Sequence, residues 1–445
     1  MAGIAGIAQL NRTTEVNRML DRMAHRGRRH REVFQTDGVT LGALSSELRR
    51  PSPPGVGRLV RDYAGYGHYA QAQIIQDRLV LLRDPLGAAP LYYGKTADGA
   101  LCFASEVKAL AEVTPRVIEL PPGSVYDGRR VVPHFRLVAG PALKEPPERI
   151  AIELHGRLSD AVQKVIQPAG FGSWLSGGLD SSALVALARP RTRTLHTFAG
   201  GLAGAADLKF ARAVADFVGT RHHETVLSPR DLPRLLPQVI YHLESFDALL
   251  VRSSVVNFAV AKQAAEYVPA VLSGEGGDEL FAGYEYLKRL PASRLAGELL
   301  DITGRLHNTA LQRVDRCAAA HGLVAHTCFL DPPVVELALR IPVEYKLHGT
   351  VEKWILRQAL KGLLPDAVLE RTKSKFWQGA GVGDLLARHA EKHVSNRDFR
   401  RERRLPNGWT LASKEELLYY RLFHEHFGNL DNLEWMGRSK TATPA

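Results

Sequence analysis

The chain has 445 residues, 45% apolar and 24% charged, with 58 Lys and Arg against 47 Asp and Glu for a formal charge of +11. That length exceeds what one hydrophobic core organises, so two domains are expected, each with a sizeable interior. The sequence excludes a membrane-spanning helix, which needs a run of roughly 18 apolar residues. It also excludes a disulfide or cysteine-metal scaffold, since Cys102, Cys317 and Cys328 are odd in number and far apart; with no charged-then-apolar leader at the start, a cytoplasmic protein with reduced thiols is expected.

Up to residue 135 the chain reads as short strands, among them "RLVLLRDPLGAAPLYYG" (78–94) and "GSVYDGRRVVPHF" (123–135), punctuated by Gly, Pro and Asp turns. Its Arg-rich cluster at 25–32, like a second one at 397–404, lacks an aromatic-rich motif and reads as solvated surface, which leaves nucleic acid a rival partner only. Residues 136–146 read as a linker. From 147 the texture turns helical, "PERIAIELHGRLSDAVQKVI" (147–166) opening with Pro and Glu as first turns do. Short apolar strands at 194–200 and 269–274 then alternate with long helices, which predicts an α/β half with a mostly parallel sheet covered on both faces.

Between the first helix and those strands lies "FGSWLSGGLDSSALVALA" (171–188): a strand, a glycine-rich turn and the start of a helix. A helix N-terminus beyond a strand end offers free amides to an anion, the glycines allow close approach, and Ser176, Ser181 and Ser182 add hydroxyls. A nucleotide P-loop would bring a Lys beside Ser or Thr, and a dinucleotide fold three spaced glycines. Here the charged residue is Asp180, which suits a phosphate site only with magnesium between them. The bland alternative is a turn whose Asp and Ser cap a helix. The stretch "VLSGEGGDELFAGY" (271–284) repeats the strand-to-turn pattern, with Asp278 as a second metal-ligand candidate and Glu275 facing the same crevice.

The first loop resembles the signature of the ATP pyrophosphatase superfamily, and the pair resembles the asparagine synthetase family, with its amide-forming relatives the β-lactam synthetases and lasso-peptide macrolactam cyclases. Segments 201–224, 241–254, 352–376 and 413–427 follow in that family's order. The resemblance implies an ATP-pyrophosphatase domain over 147–445 in which Leu175, Ser176, Gly177, Gly178, Asp180, Ser181, Ser182, Phe198, Gly200, Ser273 and Gly274 hold ATP. It further implies that Asp180 and Asp278 bind Mg2+, with Lys373 and Glu275 catalytic; Lys375 is the alternative lysine.

Residues 1–135 resemble the family's N-terminal-nucleophile glutaminase, an αββα-type domain, in "GIAGI" (3–7), "HRG" (25–27), "FASEVKAL" (103–110) and "LPPGSVY" (120–126). That chemistry needs an N-terminal thiol, and this chain has Ala2; glutamine-binding segments have no counterpart from "GALSSEL" (42–48) to Ile74, where the chain reads as shortened. A degenerate glutaminase domain is therefore expected. Just ahead of "CFLD", where the family carries an acid and an arginine, this chain has Val324 and His326, which puts aspartate in doubt as acceptor. The expectation is an ATP-dependent, AMP-forming ligase that joins a small-molecule or peptide carboxylate to an amine without glutamine, in β-lactam or lasso-type specialised biosynthesis. An ammonia-dependent asparagine synthetase, a nucleotide-binding pseudoenzyme or assembly partner, and a tRNA-modifying ATP pyrophosphatase are the alternatives; a homodimer or a pathway partner protein stays open.

Overall fold

The computed structural model describes residues 2–46, 59–65, 67–167, 170–373 and 375–440. Of the region up to Ile74 where the sequence reads as shortened, residues 47–58 and 66 lie outside the described residues, and Leu59–Gly65 and His68–Ile75 are strands.

The first half is built on two antiparallel sheets. Ala2–Ile7, buried along its whole length, lies inside a six-stranded sheet ordered His30–Thr36, Val39–Ser45, Ala2–Ile7, Leu101–Ala104, Tyr92–Lys95, Ile118–Glu119. The second sheet runs Val131–Pro133, Ser124–Tyr126, Arg78–Arg83, His68–Ile75, Leu59–Gly65. Alternation along the strands puts Ile4, Leu41, Ala43 and Phe103 of one sheet against Val60, Ala70, Ala72 and Leu81 of the other. The helix Thr13–Arg22 turns Val16, Met19 and Leu20, with Met23 after it, onto the outer face of the six-stranded sheet. This i, i+3, i+4, i+7 spacing is that of a one-faced helix. Among the described residues, the helices of this half, Thr13–Arg22 and Val107–Leu110, lie on that outer face.

Residues 134–146 carry no regular structure, but the Leu143 N–H donates to the Arg340 carbonyl at 2.9 Å, tying the connection to the second half. Helix Pro147–Val165 then begins with Pro, whose missing N–H costs nothing in a first turn.

The second half holds a parallel five-stranded sheet, ordered Arg221–Leu227, His196–Leu202, Gly172–Trp174, Ala270–Leu272, Val324–His326. Neighbouring strand residues serve opposite cores. Phe198 and Val271 pack with helices Asp231–Leu243, Ala248–Ala264 and Ala310–Ala319, while Ala199, Ala270 and Leu272 pack with helices Pro147–Val165, Leu179–Ala188 and Ala206–Val218. The earliest strand in the sequence is central, with its successors laid first to one side and then to the other. The crevice at such a reversal of strand order, beyond the carboxyl ends, is where α/β sheets bind ligands.

Candidate active site

Both glycine-rich loops open into that crevice, a cleft of about 680 Å³. Gly177 turns the first loop with φ +68°, and no side chain could stand there: a Cβ would lie 2.4 Å from Phe210 Cβ. Ser176 and Ser181 then close the loop on itself, Oγ to Oγ at 3.2 Å, and Ser181 Oγ donates to the Gly178 carbonyl at 3.1 Å. Arg371 braces the loop from outside. It donates to the Ser176 carbonyl and to Asp207 at 3.3 and 2.5 Å, and lies over the Phe210 ring.

Asp180 sits in the first turn of helix Leu179–Ala188, and Asp278 at the start of the short helix Gly277–Leu280 on the neighbouring loop. One lysine joins them: Lys353 Nζ is 2.5 Å from Asp180 Oδ2 and 2.6 Å from Asp278 Oδ1. Lys373 Nζ takes the other Asp278 oxygen at 2.6 Å. Burial pushes both carboxyls up. At Asp278 the two ammonium groups outweigh burial and bring it below the ordinary range, while at Asp180, with Lys353 alone in contact, burial prevails. Burial likewise works against the Lys373 charge, but Asp278 and Asp180 overcome it and raise its pKa.

Of the residues expected from the sequence, Leu175, Ser176, Gly178, Asp180, Ser181, Phe198, Gly200, Ser273, Gly274, Glu275, Asp278 and Lys373 line the cleft, as does Lys375. Gly177 faces helix Ala206–Val218 instead, and Ser182 is fully buried in the body of its own helix. Glu275 pairs with Arg313 of helix Ala310–Ala319. Beside it the Tyr284 hydroxyl donates to buried Glu279, a carboxyl that burial pushes up to about 7.

Val324 and His326 do not line the cleft. They lie on the outermost strand of the parallel sheet, packed against Leu59–Gly65 of the first half. His326 is buried and stacks on Phe171. Val324 and His326, expected from the sequence to bear on the acceptor, therefore stand outside the cleft wall. All three cysteines are buried and unpaired. Among the described residues no helix is long and apolar enough to cross a membrane.

Comparison with known proteins accords with this layout. The asparagine synthase family model matches residues 153–301 and 294–443, and a glutamine amidotransferase domain matches 63–124. Asparagine synthetase (glutamine-hydrolysing) 2 of Arabidopsis thaliana is 34% identical over 380 residues, covering 78% of this chain and 64% of that protein. Its namesake in Oryza sativa is 33% identical over 379 residues, covering 78% and 63%. The chain thus spans less than two thirds of the length of these relatives. A solved NMN synthetase from Francisella tularensis is only loosely alike, at 14% identity and a TM-score of 0.32, over 68% of this chain and 99% of that one. With its synthase match running from the helix before the first glycine-rich loop to beyond the last helix, the chain belongs to the asparagine synthase family.

Proposed function

We propose that the protein is an ATP-dependent, AMP-forming ligase that activates a carboxylate and joins it to an amine, without drawing that amine from glutamine. The observation that carries the reading is the convergence of Asp180, Asp278 and Lys373 at the crevice between the two glycine-rich loops.

The residues fit a magnesium nucleotide. Asp180 Oδ1 is buried without a partner, and Asp180 and Asp278 reach a common point through Lys353. No cluster of three metal-binding side chains occurs among the described residues. Magnesium takes one or two carboxylates from protein and the rest of its shell from phosphate and water. When bound, the nucleotide supplies an α-phosphorus open to attack by a carboxylate, and the metal shields the charge of the departing pyrophosphate. The loop Ser176–Ser181 would seat the phosphates on backbone amides and hydroxyls. Lys373 stands at the same carboxylate as Lys353, where its charge can stabilise negative oxygen in the transition state. Glu275, balanced by Arg313, lines the same cleft.

Support for glutamine independence comes from the thiols. Glutamine hydrolysis by this family's first domain needs a reactive cysteine, and burial pushes Cys102 and Cys317 up to about 12 and raises Cys328 as well. Ala2 stands where the resemblance places the nucleophile. We read the amine as part of the substrate, as in β-lactam or lasso-type ring closure. The identity to glutamine-hydrolysing asparagine synthetases favours a second reading, asparagine formation from aspartate and free ammonia.

The test is pyrophosphate release from MgATP with aspartate, amino diacids and peptides carrying both groups, each alone, with ammonia and with glutamine. Release from an acid bearing its own amine, lost in Asp278→Ala, is expected. A requirement for glutamine overturns the reading; release confined to aspartate plus ammonia establishes the second.

A further inference from the structure

The lysine between the two acidic residues has no counterpart in the sequence-derived site. Lys353 is 2% exposed, and its backbone is held in the left-handed region, φ +56°, unusual for a side chain of this size. Its N–H donates to the Phe281 carbonyl at 3.1 Å. Gly283 makes room for it: a Cβ there would fall 2.3 Å from Lys353 Cε and 2.0 Å from Asp278 Oδ1. Backbone, neighbouring glycine and burial all deliver one ammonium to the point shared by Asp180 and Asp278.

We infer that Lys353 is a built-in substitute for the divalent cation. In the nucleotide-free protein it neutralises the two carboxylates, and it turns toward phosphate when a metal nucleotide arrives. Together with Lys373 it balances two carboxylates with two ammonium groups. A lone Mg2+ would add two uncompensated positive charges where little water screens them. The phosphates of a nucleotide cancel that excess. A second recess, lined by Lys353, Lys373, Arg371, Ser176 and Gly178, gives the displaced ammonium a place beside the phosphate loop. Metal and nucleotide therefore enter together, and the carboxylates stay preorganised in between.

This rests on reading Asp180 and Asp278 as magnesium ligands. The test measures binding of Mg2+ alone by calorimetry, and melting temperature in EDTA, for wild type, Lys353→Met and the charge-balanced Lys353→Met/Asp180→Asn. Lys353→Met should bind free Mg2+ about tenfold or more tightly than wild type, and melt lower in EDTA with Mg2+ restoring it. The double variant should regain the wild-type melting temperature in EDTA and lose the tight Mg2+ binding. If Lys353→Met does not fold without metal, Mg2+ in the refolding buffer or the added Asp180→Asn should rescue it, and failure of both overturns the inference. Equal Mg2+ affinity and equal melting in wild type and Lys353→Met also overturns it. Absence of Mg2+ binding by wild type even with ATP refutes the metal-ligand reading instead.

Discussion

Arg26 and Asp315 meet in a two-pronged ion pair across the boundary between the halves, Nη1 to Oδ2 at 2.8 Å and Nη2 to Oδ1 at 2.9 Å. The remaining Arg26 donors reach Glu106 at 3.0 Å, Asp62 at 3.1 Å and the Ala2 carbonyl at 2.8 Å. Around them Lys108 joins Glu106 to Glu244, and Arg316 joins Glu244 to Asp315, all with almost no exposure. Buried charges cost several kcal/mol each to desolvate and are tolerable only as a complete set. Arg26→Ala leaves three carboxylates short of a partner and should destabilise the protein by about 3–5 kcal/mol in urea unfolding. A loss below about 1 kcal/mol would mean that water reaches the network.

Gly283→Ala tests how tightly the site is fitted. Its methyl group would overlap Asp278 Oδ1 and Lys353 Cε, in a segment whose fold does not depend on that glycine having a positive φ. The protein should still fold, but with the acid and the lysine displaced by about an ångström, a scale at which turnover drops about a hundredfold. ATP-driven pyrophosphate release, measured beside far-ultraviolet circular dichroism, separates the two effects. Undiminished release would show that neither side chain is needed where it stands.

His326 sets a pH dependence. In the unfolded chain a histidine takes up its proton near 6.5, whereas burial pushes His326 down to about 4. Between those values the unfolded state binds more protons, so this contribution to stability is complete above 6.5 and is lost as pH falls toward 4. Burial acts in the same direction on His222 and His321, also down to about 4, and on His242, down to about 3. His326→Phe keeps the ring against Phe171 and removes one term. Its unfolding free energy should fall less steeply over this interval, by up to about 1.4 kcal/mol per pH unit. Identical slopes in both proteins would mean that His326 is hydrated in the folded state.

The thiols should be inert. Cys102, Cys317 and Cys328 are each no more than 3% exposed. An aromatic disulfide reagent at pH 8 should therefore leave the native protein unmodified over many minutes and titrate all three thiols in denaturant. Rapid reaction of one native thiol would reopen the question of a nucleophilic cysteine.

The sequence displayed the two loops because each is a local pattern, an apolar strand running into a glycine-rich turn and then a helix. Asp180, Asp278 and Glu275 were legible for that reason, and Lys373 through its family segment. Lys353 was not: it lies 173 residues from Asp180, and only the folded chain brings them together. Arg313 reaches Glu275 from another helix, which no spacing rule announces. Glu279 and Tyr284 lie within the second glycine-rich motif, but five residues of separation across a turn do not show that two side chains meet. Ser182 follows Ser181 in the motif but not into the cleft: each helical residue turns by about 100°, so of three consecutive side chains from Asp180 the third points into the core. Val324 and His326 bear on the acceptor by their place in the family pattern, whereas the edge strand carries them to the boundary between the halves.

Helix Ala310–Ala319 serves two neighbourhoods at once. Arg313 holds Glu275 at the cleft, and two and three residues along the same rod Asp315 and Arg316 are clasped by Arg26, Glu106 and Glu244. The antiparallel half is thus no detachable passenger. Excising it would strand charged side chains on the very rod that presents Arg313, so whatever chemistry those sheets have kept or surrendered, they remain the bearing in which one wall of the cleft is mounted.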